Sequence, residues 1–165
     1  MLGRRKQPVD MIFIPGNVPS LKNSKVKTSR GIFSSPTVNK YIRSLGIQKY
    51  NVRKREVKGY ADTNRPNEFA KFKAAFETMK QGKGDPIIIG YHHVRNSKRL
   101  FDFSNSVEII QDLLQAHGFI EDDNVKYAFP VPMTIDGELI VEGKVRSKPL
   151  YSVDKENPGV WIKLF

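Results

Sequence analysis

The middle of the sequence carries the pattern that most restricts the fold, a long apolar segment followed by an amphipathic one. Residues 86–95 are apolar enough to form a strand inside a sheet. Residues 103–117 place Val107, Ile110 and Leu114 on one helical stripe, and Gly118 supplies the left-handed residue that ends such a helix. A strand and a helix in this order predict a sheet that is covered by helices.

Shorter segments complete the predicted fold. Further strands are predicted at residues 9–14, 127–135, 138–146 and 160–165, and Asp136-Gly137 is a hairpin signal between the second and third of these. Further helices are predicted within residues 40–55 and over 67–79. We therefore expect a single α/β or α+β domain over residues 1–165, a mixed sheet covered by helices. Residues 1–8 are expected to be a basic flexible N-terminus, and residues 20–36 a basic loop.

The charge is divided unevenly along the chain. The sequence holds 28 Lys and Arg against 17 Asp and Glu, a formal net charge of +11. The first 100 residues hold 22 basic and 6 acidic residues, whereas residues 101–165 hold 6 basic and 11 acidic ones. This division indicates a polyanion-binding part joined to an acidic part. A merely basic soluble protein is the alternative that charge alone leaves open.

Several classes of protein are excluded by the sequence. It has no cysteine, which excludes disulfides, thiol catalysis and cysteine-held zinc. The longest apolar runs, such as residues 87–89, are far shorter than the ~18 residues of a membrane span. Residues 1–7 are basic but lead into no apolar signal core. We therefore expect a protein of the cytoplasm with no membrane partner.

Acidic residues stand at both ends of the predicted helix 103–117. Asp102 precedes it, and Glu121, Asp122 and Asp123 follow it. Mg²⁺ prefers hard oxygen ligands such as carboxylates, and divalent ions stabilise the attacking and leaving oxygens of phosphodiester cleavage. The two groups meet only if the segment after the helix folds back beside the strand. The same residues also fit a helix N-cap at Asp102 and a solvated turn at 121–124.

Two segments carry a family resemblance. The first is Asp102-Phe103-Ser104-Asn105, followed by the apolar helix and by Gly-Phe-Ile-Glu-Asp-Asp-Asn at residues 118–124. The second is Ile-Pro-Gly-Asn-Val-Pro-Ser-Leu-Lys-Asn-Ser at residues 14–24. Together with Lys98 and Arg99, they resemble the RusA-type Holliday junction resolvases. That family has Asp-x-Asp-Asn after a basic run, then a helix, a glycine step and an Asp-Asp pair, and it opens with a strand and a Pro-Ser-x-Asn loop.

The resemblance implies an activity and a set of ligands. It implies an endonuclease that uses Mg²⁺, or Mn²⁺ in its place, and that cuts four-way DNA junctions as a homodimer. Recombination or repair, encoded by a phage or prophage and carried out in the bacterial cytoplasm, is the role implied by analogy. Asp102 and either Asp122 or Asp123 are the implied metal ligands. Asn105 caps the helix or orients Asp102.

Two positions depart from the family pattern. Ser104 stands where the family has its second Asp, and Glu108 stands where it has a lysine. Because residues four apart on a helix share a face, we expect Glu108 to return the missing carboxylate to the metal. The alternative is that Glu108 is a surface charge and that the protein is a non-catalytic branched-DNA or RNA-binding module with a decayed metal site.

Basic residues outside the acidic motif, together with Asn23, are expected to contact DNA phosphates. Such contacts position a nucleic acid without reading its sequence. The candidates are Lys22, Asn23, Lys25, Lys27, Arg30, Arg53, Lys54, Arg55, Lys98 and Arg99. His92 and His93 alternate on a strand, so at most one of them faces any site, as a phosphate contact or a general acid.

Overall fold

The computed structural model describes residues 10–20, 25–28, 31–47, 49–51, 56–58, 67–139 and 149–165. These residues contain nine strands and four helices. In chain order they are β1 (Ile12–Pro15), β2 (Lys25–Thr28), β3 (Gly31–Ser34), α1 (Pro36–Ser44), β4 (Lys49–Asn51), β5 (Glu56–Lys58), α2 (Glu68–Lys71), α3 (Lys73–Lys80), β6 (Ile87–Arg95), α4 (Phe103–Ala116), β7 (Ala128–Pro132), β8 (Tyr151–Val153) and β9 (Gly159–Leu164).

β6 is the middle strand of a mixed five-stranded sheet. Along one edge β6 pairs antiparallel with β9, which in turn pairs antiparallel with β1. Along the other edge β6 pairs parallel with β7 over Ile87 to Tyr91 and with β8 over His93 to Arg95. All residues of β6 except Ile88 are buried, as expected for a strand with both faces covered. The protein is therefore a mixed α+β fold built on one main sheet.

α4 is the crossover between the parallel strands β6 and β7. Parallel neighbours need such a connection, because the chain has to return to the end of the sheet from which it started. Val107, Ile110 and Leu114 are buried as the helical stripe predicts, and Gly118 has a φ of 73° just past the helix end. The predicted strand 86–95 and helix 103–117 are both confirmed, each to within one residue at either end.

One cluster of buried apolar side chains joins the sheet to all four helices. Its largest fully buried members include Ile14 from β1, Leu45 after α1, Phe69 from α2, Phe76 from α3 and Tyr91 from β6. Each such aliphatic or phenylalanine side chain contributes about 1.5–3 kcal/mol when it is fully buried. The helices are therefore held by the sheet, and their outer faces are left for solvent or ligands.

The prediction of a basic loop at residues 20–36 was wrong for most of its length. β2 and β3 pair antiparallel there, with Val26 opposite Phe33, and α1 begins at Pro36. The β-branched residues Val26 and Thr28 alternate with lysines there, and β-branched residues favour strands. Residues 1–8, predicted to be a flexible N-terminus, lie outside the described residues.

The helix predicted within residues 40–55 is α1, which begins and ends earlier. Ser35 caps it, because its Oγ accepts a hydrogen bond from the Val38 backbone N at 3.3 Å, and Pro36 suits the first helical position. Gly46, with a φ of 77°, follows its end. Residues 49–51 and 56–58 instead pair as the hairpin strands β4 and β5.

The remaining elements match the predictions in part. The helix predicted at 67–79 is divided at Phe72 into α2 and α3. β1, β7 and β9 confirm three of the predicted strands, with shifted ends. Gly137 forms the predicted turn, with a φ of 74°, but most of the predicted strand 138–146 lies outside the described residues. β8 was not predicted. In the described part of the chain, the helices are too short or too polar to span a bilayer.

Gly159 is the position at which the sheet tolerates no side chain. A Cβ atom there would lie 2.6 Å from the backbone oxygen of Ile14 and 2.3 Å from the Phe13 ring. We expect Gly159→Ala to lower the free energy of unfolding by about 1–3 kcal/mol, because the β1–β9 pair has to separate to admit the methyl group. Urea unfolding measures the change. Gly84→Ala is the control, because nothing lies within 4 Å of its Cβ position, and equal effects of the two substitutions would contradict the prediction.

Candidate metal and nucleic-acid site

Asp102 lies between the loop that follows β6 and the first turn of α4. Its Oδ1 atom accepts a hydrogen bond from the backbone N of Asn105 at 3.3 Å, so Asp102 is the N-cap of α4. The side chain is exposed. The carboxylate of Asp102 can therefore cap the helix and still bind a metal ion, because capping uses one oxygen and solvent reaches the group.

The first two turns of α4 present two further polar side chains to solvent. Ser104 and Glu108 are both exposed and lie four residues apart, hence on one face of the helix. Asn105 is half-buried, and its backbone N is the donor that Asp102 caps. The candidate ligands at this end are thus the carboxylates of Asp102 and Glu108, with the neutral hydroxyl of Ser104 beside them.

The segment of residues 17–20 is held by three hydrogen bonds, two to the end of β6 and one to the first turn of α4. Arg95 Nη1 donates to the backbone oxygen of Val18. The backbone N of Asn96 donates to Asn17 Oδ1 at 3.2 Å, and Ser106 Oγ donates to the backbone oxygen of Pro19 at 3.4 Å. The two sequence segments that carry the family resemblance are therefore neighbours in the fold, over residues 14–20, the described part of the second segment.

Arg95 is a buried cation at the centre of these contacts. Its side chain is 8% exposed, and its guanidinium carbon lies 4.8 Å from the centroid of the Phe101 ring. Burial lowers the pKa of Arg95. Sequence reasoning missed this residue, although a charged residue closing an otherwise apolar strand was a signal that could have drawn attention to it.

His92 and His93 are both buried, so neither is placed to contact a phosphate or to act as a general acid at the surface. His92 Nδ1 donates to the backbone oxygen of Met133 at 2.9 Å, and its Nε2 accepts from Ser152 Oγ at 2.7 Å. His93 is 1% exposed, and its ring lies 5.1 Å from that of Phe101 and 5.8 Å from that of Phe103. Both are structural side chains of the sheet.

Asp122 and Asp123 lie at the other end of α4, in a turn that uses the carboxylate of Asp122. Asp122 Oδ1 accepts from the backbone N of Asp123 at 2.8 Å, and its Oδ2 accepts from Asn124 Nδ2 at 2.7 Å. Gln115 Nε2, in the last turn of α4, donates to the backbone oxygen of Glu121 at 3.5 Å. The turn thus stays beside the end of the helix.

The acidic residues at the two ends of α4 do not meet within one chain. α4 has 14 residues and therefore spans about 21 Å. Asp102 lies at the end of the loop that leaves the last residue of β6, Arg95. The 121–124 turn instead leads into Tyr127, whose backbone oxygen accepts from the N of Ile87 at the first residue of β6. The segment after α4 thus does not fold back to the Asp102 end of the helix, as a metal site that uses both acidic groups of one chain would need. Among the described residues, no group of three or more His, Asp or Glu could hold a metal.

The basic candidates divide between described and undescribed positions. Lys98 and Arg99 are exposed, in the loop that leads to Asp102, next to Leu100, which is 85% exposed. Lys25 and Lys27 lie on β2. The other candidates, Lys22, Asn23, Arg30, Arg53, Lys54 and Arg55, lie outside the described residues. Lys98 and Arg99 are therefore the cations that the structure sets beside the Asp102 end of α4.

Comparisons with known proteins identify no relative of this chain. No family model matches the sequence, and neither a curated protein nor a solved structure matches it. The likeness to RusA-type resolvases therefore rests on the motifs of this chain.

Acid should destabilise the fold through His93. Burial, assisted by the charge of Arg95, lowers the pKa of His93 from 6.5 to about 3. Between pH 6.5 and pH 3, His93 is protonated in the unfolded chain but neutral in the folded chain. The contribution of neutral His93 to folding stability is therefore complete above pH 6.5 and is lost as the pH falls toward 3. At pH 5 the loss amounts to about 2 kcal/mol.

His93→Phe tests this pH dependence, because it keeps the ring and removes the proton site. We expect urea unfolding at pH 7.5 to give wild type and variant similar stability. At pH 5 the variant should be the more stable of the two. Identical losses between pH 7.5 and pH 5 in both proteins would show that His93 does not carry the effect.

Proposed function

We propose that the protein is a RusA-like endonuclease that cleaves branched DNA with the help of Mg²⁺. One observation carries the proposal: the hydrogen bonds of Arg95, Asn96 and Ser106 bring residues 17–20 and the Asp102 end of α4 together. These segments come from separate parts of the sequence, and both belong to the motif that resembles the family. Their contact in the fold is what a shared functional site requires.

The exposed carboxylates at the start of α4 suit a hard divalent ion. Asp102 and Glu108 supply the oxygen ligands that Mg²⁺ prefers, and Mn²⁺ accepts the same donors. When bound, such an ion stabilises the charge that develops on the oxygens of a cleaved phosphodiester. Lys98 and Arg99, exposed in the preceding loop, hold the phosphates of the DNA near these carboxylates.

A homodimer brings together Asp102 and the Asp122–Asp123 pair, which lie at opposite ends of α4 in one chain. A two-fold axis across the middle of α4 sets Asp102 of each copy beside the Asp122–Asp123 turn of the other, because the axis reverses the helix direction. Two equivalent sites then lie about one length of α4, or about 21 Å, apart. Two symmetric sites suit a four-way junction, which has to be cut on paired strands to be resolved.

Cleavage of a synthetic four-way junction, labelled on each strand in turn, tests the activity. We expect Mg²⁺-dependent cuts by the wild type and a rate lower by on the order of 100-fold in Asp102→Asn and in Glu108→Gln. Glu77→Gln, an exposed glutamate on α3, is the matched control and should cleave normally. Normal cleavage by Glu108→Gln would show that Glu108 does not replace the carboxylate missing at Ser104.

Mixed dimers test whether the site is shared between two copies. Asp102→Asn is combined with an Asp122→Asn/Asp123→Asn double variant, each of which should be inactive alone. If each site takes Asp102 from one copy and the aspartate pair from the other, the mixed dimer has one intact site and nicks one strand of the junction. If both groups act within one chain, no site is intact and the mixture stays inactive.

A non-catalytic branched-DNA or RNA-binding module is the second candidate. Two observations favour it: Ser104 supplies no negative charge, and both carboxylate oxygens of Asp122 are engaged in a turn. Such a protein binds a junction more tightly than linear duplex or RNA, or prefers RNA, and cuts none of them with Mg²⁺ or Mn²⁺. Its affinity falls steeply with salt, because binding releases counterions from the phosphates.

A further inference from the structure

A shallow, open depression of about 530 Å³, called the α1 groove below, lies along the outer face of α1, apart from the Asp102 end of α4. The groove is lined by Pro36, Asn39, Lys40, Arg43 and Ser44. These residues recur at spacings of three and four, so they form one stripe of the helix, and all of them are exposed. The opposite stripe, with Val38, Tyr41 and Ile42, is buried in the core. The groove is therefore a fixed outer surface of the fold.

The charge of the groove is positive. Lys40 and Arg43 are its ionisable residues, and residues 35–47 contain no Asp or Glu. Neither cation forms an ion pair with a described residue, whereas Lys71 and Lys163, elsewhere on the surface, do. A surface with two cations three residues apart on a helix matches a phosphate backbone, because duplex DNA carries one charge per ~1.7 Å of its axis.

The sequence on either side of α1 is also strongly basic. Residues 22–58 hold 11 Lys and Arg and a single acid, Glu56. Within this stretch, the paired strands β2–β3 end just before α1, and the paired strands β4–β5 follow it. A run of this sign in the sequence is typical of a polyanion-binding segment.

α1 also lies next to the segment that is held against Asp102. Gly16, at the end of β1, is so close to α1 that a Cβ there would lie 3.1 Å from the Tyr41 ring. The chain continues from Gly16 into residues 17–20, which contact Arg95, Asn96 and Ser106. α1 and the Asp102 end of α4 thus both adjoin residues 16–20, with α1 contacting them through Tyr41, on the stripe opposite the groove.

We propose that the α1 groove binds the phosphate backbone of a DNA duplex arm through Lys40 and Arg43. The identity of the polyanion as DNA rests on the function proposed above, while the positive groove stands on the fold. Such contacts add affinity for any duplex arm and carry no information about base sequence.

Fluorescence anisotropy with a labelled four-way junction and a linear duplex, in EDTA so that no strand is cut, measures the contribution of the groove. We expect Lys40→Glu/Arg43→Glu to bind both DNAs at least about tenfold more weakly, with a slope of log affinity against log salt that is shallower by roughly two. Lys83→Glu/Lys155→Glu removes the same charge at two exposed positions outside the groove and is the control. Circular dichroism and urea unfolding check that both variants fold, and Lys40→Ala/Arg43→Ala replaces the first variant if it does not.

The outcomes separate this inference from the proposed function. Equal binding by groove and control variants overturns the groove as a binding surface, even if the wild type cleaves junctions. Weaker binding by the groove variant alone supports it, even if the wild type cleaves nothing. A wild type that binds neither DNA overturns both proposals.

Discussion

The hydrogen bond from Arg95 to the backbone of Val18 is the contact on which the candidate site depends. It joins the end of the central strand β6 to the segment after β1, two parts of the chain more than 70 residues apart in sequence. A buried guanidinium is costly unless its charge is compensated. Here a carbonyl oxygen and the face of the Phe101 ring contact the guanidinium, and Phe101 directly precedes Asp102. The buried cation thus fixes both the loop before α4 and the segment that packs against it.

The direction of the strands then determines what the site can contain. Because β6 and β7 are parallel, α4 has to cross from one end of the sheet to the other, and the acids at its two ends are separated by its length. One chain therefore presents Asp102 and Glu108 at one end, and Asp122 and Asp123 at the other. A second copy related by a two-fold axis is the simplest arrangement that brings both groups to one ion, and this is why the proposed function includes a homodimer.

The sequence predicted those parts of the fold in which a long periodic pattern of apolar residues coincides with the residues that are buried. β6 and α4 were predicted almost to the residue, because a strand with eight of its nine residues buried and a helix with a full apolar stripe have few alternatives. β2–β3 and β4–β5 were missed, because strands of three or four residues among lysines leave almost no periodic signal. Asp102 was foreseen as a cap from its residue type and place. The burial of His92, His93 and Arg95, and the separation of the acids, depend on pairing across the sheet, which one sequence does not reveal.

The claim that two copies complete the site is tested most directly by engineered disulfides, since the chain has no cysteine of its own. Ser104→Cys and Asn124→Cys are introduced together, next to the acids at either end of α4. A disulfide requires Cα atoms within about 7 Å, so the helix length excludes a bridge within one chain. We predict that mild oxidation links the double variant, but neither single variant, into covalent dimers. A double variant that remains monomeric in denaturing electrophoresis, at concentrations where the protein binds DNA, would contradict the shared site.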